Sequence, residues 1–120
     1  MHRLVRDDGR VLLLKRDDLS GTEIGGNKLR ALEWLLGGVR SGDQVLTVGA
    51  RGSTHALSTA MLAGQLGARC TVVRWNQVMN PAAEIVERRL RSAARVIDTR
   101  LVPARFGDAS GVRGAARLWP

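Results

Sequence analysis

The stretch Gln44-Val45-Leu46-Thr47-Val48-Gly49-Ala50-Arg51-Gly52-Ser53-Thr54-His55 decides how this sequence folds. Its first five residues have the pattern of a buried strand. Gly49 and Gly52 then turn the chain, and Ser53 to Leu66 reads as a helix of small residues that Gly67 is placed to end. Residues 69–75 repeat the strand pattern. Asn80-Pro81 opens a second helix, with Asn in the capping position and Pro at the first helical residue. That helix is expected to run to about Ala94, and Arg95-Val96-Ile97-Asp98 is expected to form the next strand. Strand, helix, strand, helix, strand implies an α/β fold: an open parallel sheet with right-handed crossovers and flanking helices.

On the N-terminal side, Val11-Leu12-Leu13-Leu14-Lys15 suits a strand, and a polar loop from Arg16 leads to Gly25-Gly26. From Asn27 to about Arg40, Leu29, Leu32, Leu35, Leu36 and Val39 recur at helical spacing, with Asn27 placed as the cap. The first residues, His2 included, read as a frayed terminus. Beyond Leu101 no period is sustained, so Pro103 to Pro120 reads as an irregular tail or the point where a longer chain was cut.

Composition removes several function classes. The 120 residues carry a net charge of +8, and with only Lys15 and Lys28 among 19 basic residues, 17 are arginine. Such basicity suits a nucleic-acid binder. The arginines are scattered, however, and only Arg88-Arg89-x-Arg91 clusters, on a helix shared with Glu84 and Glu87 that reads as a solvated face. One Phe, three Trp and no Tyr offer no platform for stacking bases. Positive charge can instead attract small anions such as phosphate esters and carboxylates. One cysteine, Cys70, cannot form an internal disulfide and reads as a buried small hydrophobe. No cluster of Cys and His has zinc-like spacing, so no metal is expected. Neither a signal peptide nor a membrane span is legible, which makes a cytoplasmic location the default.

In open parallel sheets, ligands bind where strands end and helices begin. Two loops qualify: Gly25-Gly26-Asn27-Lys28 and Gly49-Ala50-Arg51-Gly52-Ser53-Thr54-His55. Each brings glycines to a helix start, where unpaired amides favour anions. A nucleophile elbow fails, since His55 stands where G-x-S-x-G needs glycine. The phosphate loop fails because Leu29 follows Lys28, and G-x-G-x-x-G is absent. Arg74, at the end of the next strand, could meet a 2′-phosphate, which keeps a non-catalytic nucleotide-binding α/β module as the alternative. Any imine-forming lysine must be Lys15 or Lys28. Lys15 stands beside Asp17 and Asp18, where an ion pair is its natural role. Lys28 lies beside two glycines at a helix start, within reach of a ligand carbonyl. The residues alone leave a plain surface lysine as the other reading.

Leu14-Lys15-Arg16-Asp17-Asp18-Leu19-Ser20-Gly21, then Gly25-Gly26-Asn27-Lys28-Leu29-Arg30-x-Leu32-Glu33, Val45 to Gly49, Gly52 to Ala56, and Leu66-Gly67 together resemble the D-cysteine desulfhydrase and 1-aminocyclopropane-1-carboxylate deaminase family. The likeness runs from residue 11 to about 98, the first third of a usual member. It implies an incomplete tryptophan-synthase-β-like fold that uses pyridoxal 5′-phosphate (PLP). Residues 1–40 would belong to the large domain, 41–102 to the small one, and 103–120 to the tail. Lys28 would hold PLP as an imine and act as the proton-transferring base. Ser53, with Gly52 and Thr54, would hold the substrate carboxylate, and Asn27, Thr54 and His55 would contact the cofactor. The implied activity is that of a lyase or deaminase acting on a small amino acid by elimination or ring opening, with a homodimer as one assembly. Two positions depart from the family pattern. Thr54 stands where asparagine is usual, and Ala31 where many members have a second lysine. The family's phosphate loop and pyridine-nitrogen partner come from later chain, so these 120 residues alone are expected to bind PLP weakly and turn over almost nothing.

Overall fold

A computed structural model describes residues 2–16, 19 and 26–105. Expectations for Asp17, Asp18 and Gly25, including the ion pair of Lys15, and for the tail from 106 onward lie outside the described residues.

The central unit follows the sequence pattern. Strand β3 (Gln44–Ala50), helix α2 (Thr54–Gln65), β4 (Arg69–Trp75), α3 (Pro81–Val96) and β5 (Thr99–Pro103) form a parallel sheet of order β3-β4-β5. Val45 pairs with Cys70, and Cys70 with Thr99, so those residues share one face with Thr47, Val72 and Leu101. Two successive crossovers of one hand in one direction place α2 and α3 on the same face. There, Ala56, Leu57, Ala60 and Ala63 of α2 and Leu90 of α3 close over Cys70 and Val72 as the core. The alanines of α2 matter because small side chains let the helix lie close to the sheet. Burial pushes the Cys70 thiol up to about 11, as expected for an inert, buried sulfur.

The start of α3 is as the sequence predicts, and Ser53, expected as the first residue of α2, is its cap. Ser53 Oγ accepts from Ala56 N–H at 3.2 Å and Asn80 Oδ1 from Ala83 N–H at 2.9 Å. Gly67 ends α2 with φ +72, where L side chains are strained.

Three expectations need correction. The helix α3 continues to Val96, and the strand that follows is Thr99–Pro103 rather than 95–98. Val96 is exposed on the last helical turn and Ile97 is the extended residue that caps it, so the aliphatic pair Val96-Ile97 marks a helix end. The helix expected over 27–40 is α1 (Lys28–Leu35), with Leu36 as its last cap, because Gly37 and Gly38 break it. Only Leu32 and Leu36 are buried there, while Leu35 is exposed. Finally, the first residues are not frayed. Strand β1 (His2–Val5) pairs antiparallel with β2 (Val11–Leu14) around a turn in which Asp8 Oδ1 accepts from Arg10 N–H at 3.0 Å and Gly9 takes φ +78. Asp8-Gly9 between apolar runs was the available hairpin signal.

On the opposite face of the parallel sheet, β3 is uncovered among the described residues. Leu46 is 70% exposed and Val48 56% exposed, although their run reads as a strand buried on both sides.

Candidate functional site

At the carboxyl end of β3 the chain reverses through Ala50-Arg51-Gly52-Ser53 into α2. Arg51 N–H donates to the Trp75 carbonyl at 2.9 Å, and Gln77 Nε2 donates to the Arg51 carbonyl at 2.5 Å. A Cβ on Gly49 would stand 2.7 Å from Ser53 Oγ, so this glycine lets the strand meet the helix cap. Gly52 has φ +77, and a Cβ there would stand 2.7 Å from both the Ala83 Cβ and its carbonyl oxygen. Backbone strain and overlap with α3 act together at Gly52. Gly52→Ala is therefore expected to destabilise the chain by about 2–4 kcal/mol, read as a lowered denaturant midpoint. Ser53→Ala removes only the cap and should cost about 1 kcal/mol in the same measurement.

What fixes the turn against α3 is a residue assigned above to a solvated face. Glu87 is 4% exposed and receives three guanidinium groups. Its Oε1 lies 2.5 Å from Arg74 Nη1, 2.9 Å from Arg91 Nε and 3.6 Å from Arg51 Nε. Its Oε2 accepts from Gly52 N–H at 3.3 Å. Burial pushes the Glu87 carboxyl up, but the hydrogen bonds from Arg91 and Gly52 and the charges of Arg74 and Arg91 outweigh it and hold the pKa below its ordinary value. The signal was present in the sequence: Ala83, Glu87, Leu90 and Ala94 form one stripe at helical spacing, and a carboxylate on an apolar stripe needs partners.

The residues expected to form the site are placed as follows. Ser53 caps α2 through its Oγ, and its neighbour Thr54 is exposed on the first helical residue. The amide of Gly52 already donates to Glu87, so this glycine shapes the turn rather than offering an open donor. His55 is half-buried and lines a cavity of about 310 Å³ together with Leu32, Leu35 and Leu36 of the α1 segment and Thr47 and Thr59. This cavity is where the α1 segment meets β3 and α2. Lys28, the first residue of α1, is exposed and does not line it, because the segment is anchored further along, through Leu32 and Leu36. Asn27 is exposed, with helical backbone angles and no side-chain capping bond, so the capping role expected of it is not filled. The structure thus gathers Gly52, Ser53, Thr54 and His55 on one turn and leaves Lys28 and Asn27 on a separate, accessible helix start. Among the described residues no group of three or more His, Cys, Asp or Glu side chains could hold a metal. No helix among them is long and apolar enough to cross a membrane.

A turn that ends a parallel strand and starts a helix can hold an anion by its amides and the helix dipole. An exposed lysine at a second helix start can present an amine to a carbonyl carbon. Those are the chemical capacities of the residues expected to form the site.

No protein-family profile matches the chain. A Pyrococcus abyssi protein assigned as 1-aminocyclopropane-1-carboxylate deaminase is 51% identical over 67 residues, covering 54% of this chain and 20% of its own length. The nocardicin C-9′ epimerase of Nocardia uniformis is 46% identical over 87 residues, covering 71% of this chain and 26% of its own. The D-cysteine desulfhydrase of Salmonella paratyphi A is 37% identical over 97 residues, covering 79% and 28%. A solved structure of an ACC deaminase homologue aligns at 27% identity over 87% of this chain and 41% of that one, with a TM-score of 0.44. The chain thus spans only about a fifth to just over a quarter of the length of these curated relatives. In the segment that they share with it, this chain belongs to the D-cysteine desulfhydrase and 1-aminocyclopropane-1-carboxylate deaminase family.

Proposed function

We propose that this chain is part of a PLP-dependent lyase or deaminase acting on a small amino acid, with Lys28 as the cofactor lysine. The observation that carries the reading is the ordered set Gly26-Asn27-Lys28, then Gly52-Ser53-Thr54-His55, standing at two helix starts in a chain of this family. The residues present fit half of what PLP requires. Lys28 offers an accessible amine, and no ion pair ties it among the described residues. The Ser53 turn offers helix-start amides suited to a carboxylate. When bound, PLP supplies an electron sink.

This chain's own groups would then divide the work. The Lys28 amine would hold the cofactor and afterwards move a proton at the substrate Cα. The amide N–H groups at the start of α2, with Ser53 beside them, would orient the substrate carboxylate. The Thr54 hydroxyl and the His55 ring would position the cofactor ring, with threonine replacing the family's asparagine by a shorter donor. The exposed β3 side chains Leu46 and Val48 are in keeping with a chain that acts as part of a longer protein. Parallel sheets are normally covered on both sides, and Leu46 and Val48 await a second layer.

The chemistry is tested by incubating the intact protein with PLP and a panel of small amino acids in D2O, followed by NMR. Release of ammonia and a 2-oxo acid supports a lyase or deaminase. Deuterium exchange at Cα without that release would move the reading to an epimerase, and the absence of both exchange and release would contradict PLP chemistry on these substrates.

A further inference from the structure

We propose that the chain holds a binding site for a small oxyanion, a phosphate or carboxylate group, between Arg51, Arg74 and Arg91 at the carboxyl edge of the parallel sheet. A cavity of about 160 Å³ lies there, lined by these arginines with Trp75, Asn76 and Pro103. At roughly 30 Å³ per water, it has room for about five waters, or for one anion of this size with part of its hydration shell.

The charge is unbalanced. Three guanidinium groups share one carboxylate, that of Glu87, and all three lie nearest the same oxygen, Oε1. The cluster therefore keeps two positive charges that Glu87 does not neutralise. The adjoining cavity adds Arg88 and Glu84, one charge of each sign, and leaves that excess unchanged. A second observation points to a missing acceptor. Arg51 Nε is buried and has no hydrogen-bond partner, since Glu87 Oε1 at 3.6 Å is beyond hydrogen-bond reach. A buried donor left unmade is costly, and an oxyanion would satisfy it with a charge-assisted bond.

The site is also preorganised. Arg74 is fixed by Glu87 at 2.5 Å, and the backbone of Arg51 is tied to Trp75 and Gln77. The guanidinium fork matches phosphate and carboxylate geometry. The site shares Arg51 with the turn that carries Ser53, and it does not depend on Lys28 or on the cofactor assignment.

The test titrates the chain with inorganic phosphate, and separately with malonate, against sodium chloride at matched ionic strength, following both thermal unfolding and calorimetric binding. Saturable stabilisation by phosphate or malonate beyond that of chloride is expected, and which anion binds tighter identifies the group. Arg91→Gln and Arg51→Gln should each weaken binding about tenfold, the loss of one charge-assisted bond. Arg69→Gln, at the far end of β4, removes the same charge and should leave affinity unchanged. The proposal is overturned if both anions act no more strongly than chloride, or if Arg69→Gln weakens binding as much as Arg91→Gln. The Arg91 side chain is half-exposed, so its replacement leaves the core intact.

Discussion

Lys28→Ala in the intact protein is expected to lower amino-acid turnover about a thousandfold or more while leaving the fold unchanged. The size of the effect follows from the two jobs proposed for one amine. Removing a positioned proton-transfer group alone typically costs 10²–10⁴-fold, and the same substitution would remove the covalent anchor. Stability should barely change because Lys28 is exposed on the first residue of α1 and makes no ion pair among the described residues. Exposed substitutions of this kind stay within about 0.5 kcal/mol. Lys15→Ala is the control, expected to retain turnover. Steady-state kinetics with a matched unfolding curve check both. Equal loss in the two variants would remove the distinction drawn between the lysines.

Glu87→Ala should cost the fold about 3 kcal/mol. Breaking a buried ion pair by removing one partner costs roughly 3–5 kcal/mol. The lower end applies because Arg91 and Arg51 are 53% and 38% exposed, and solvent screens what remains of their repulsion. The loss also frees the Gly52 amide and so loosens the turn that carries Ser53. A pH signature accompanies it. The folded Glu87 pKa lies below its unfolded value, so its contribution is fully present above the unfolded pKa, about 4.3. It is lost as pH falls below that value and through the folded pKa. The gap between the parent chain and Glu87→Gln should therefore narrow as unfolding is measured from pH 6 down into the acid range. A gap that is constant across that range would mean that Glu87 contributes by shape rather than by charge.

The central β-α-β-α-β order was legible because its punctuation is strong. Ser53, Asn80-Pro81 and Gly67 each fix a helix end by a local bond or a positive φ, and the tertiary structure uses them as they stand. Boundaries failed where punctuation was weak. Val96 and Ile97 form an aliphatic pair that serves a helix end as readily as a strand, and only pairing with β4 decides that residues 99–103 are the strand. Asp8-Gly9 was readable as a turn, yet a hairpin forms only if the two flanking runs pair, and runs of four residues settle that only in three dimensions.

The site was legible in part for similar reasons. Local motifs predict that Gly52, Ser53, Thr54 and His55 share one turn. They say nothing of Glu87, thirty-five residues from Gly52, which determines where that turn sits. Charged residues on a helix usually face water, so a run with several arginines masks the one carboxylate that turns inward. Distance in sequence also hides the relation of Lys28 to the Ser53 turn. The segment containing α1 docks through Leu32 and Leu36, which places His55, rather than the lysine, at the shared cavity.

The most direct measurement is borohydride reduction of the intact, PLP-treated protein followed by peptide mapping. A stable phosphopyridoxyl group on the peptide that contains Lys28 is the predicted result. The group on Lys15 instead, or no modified lysine at all, would contradict the account.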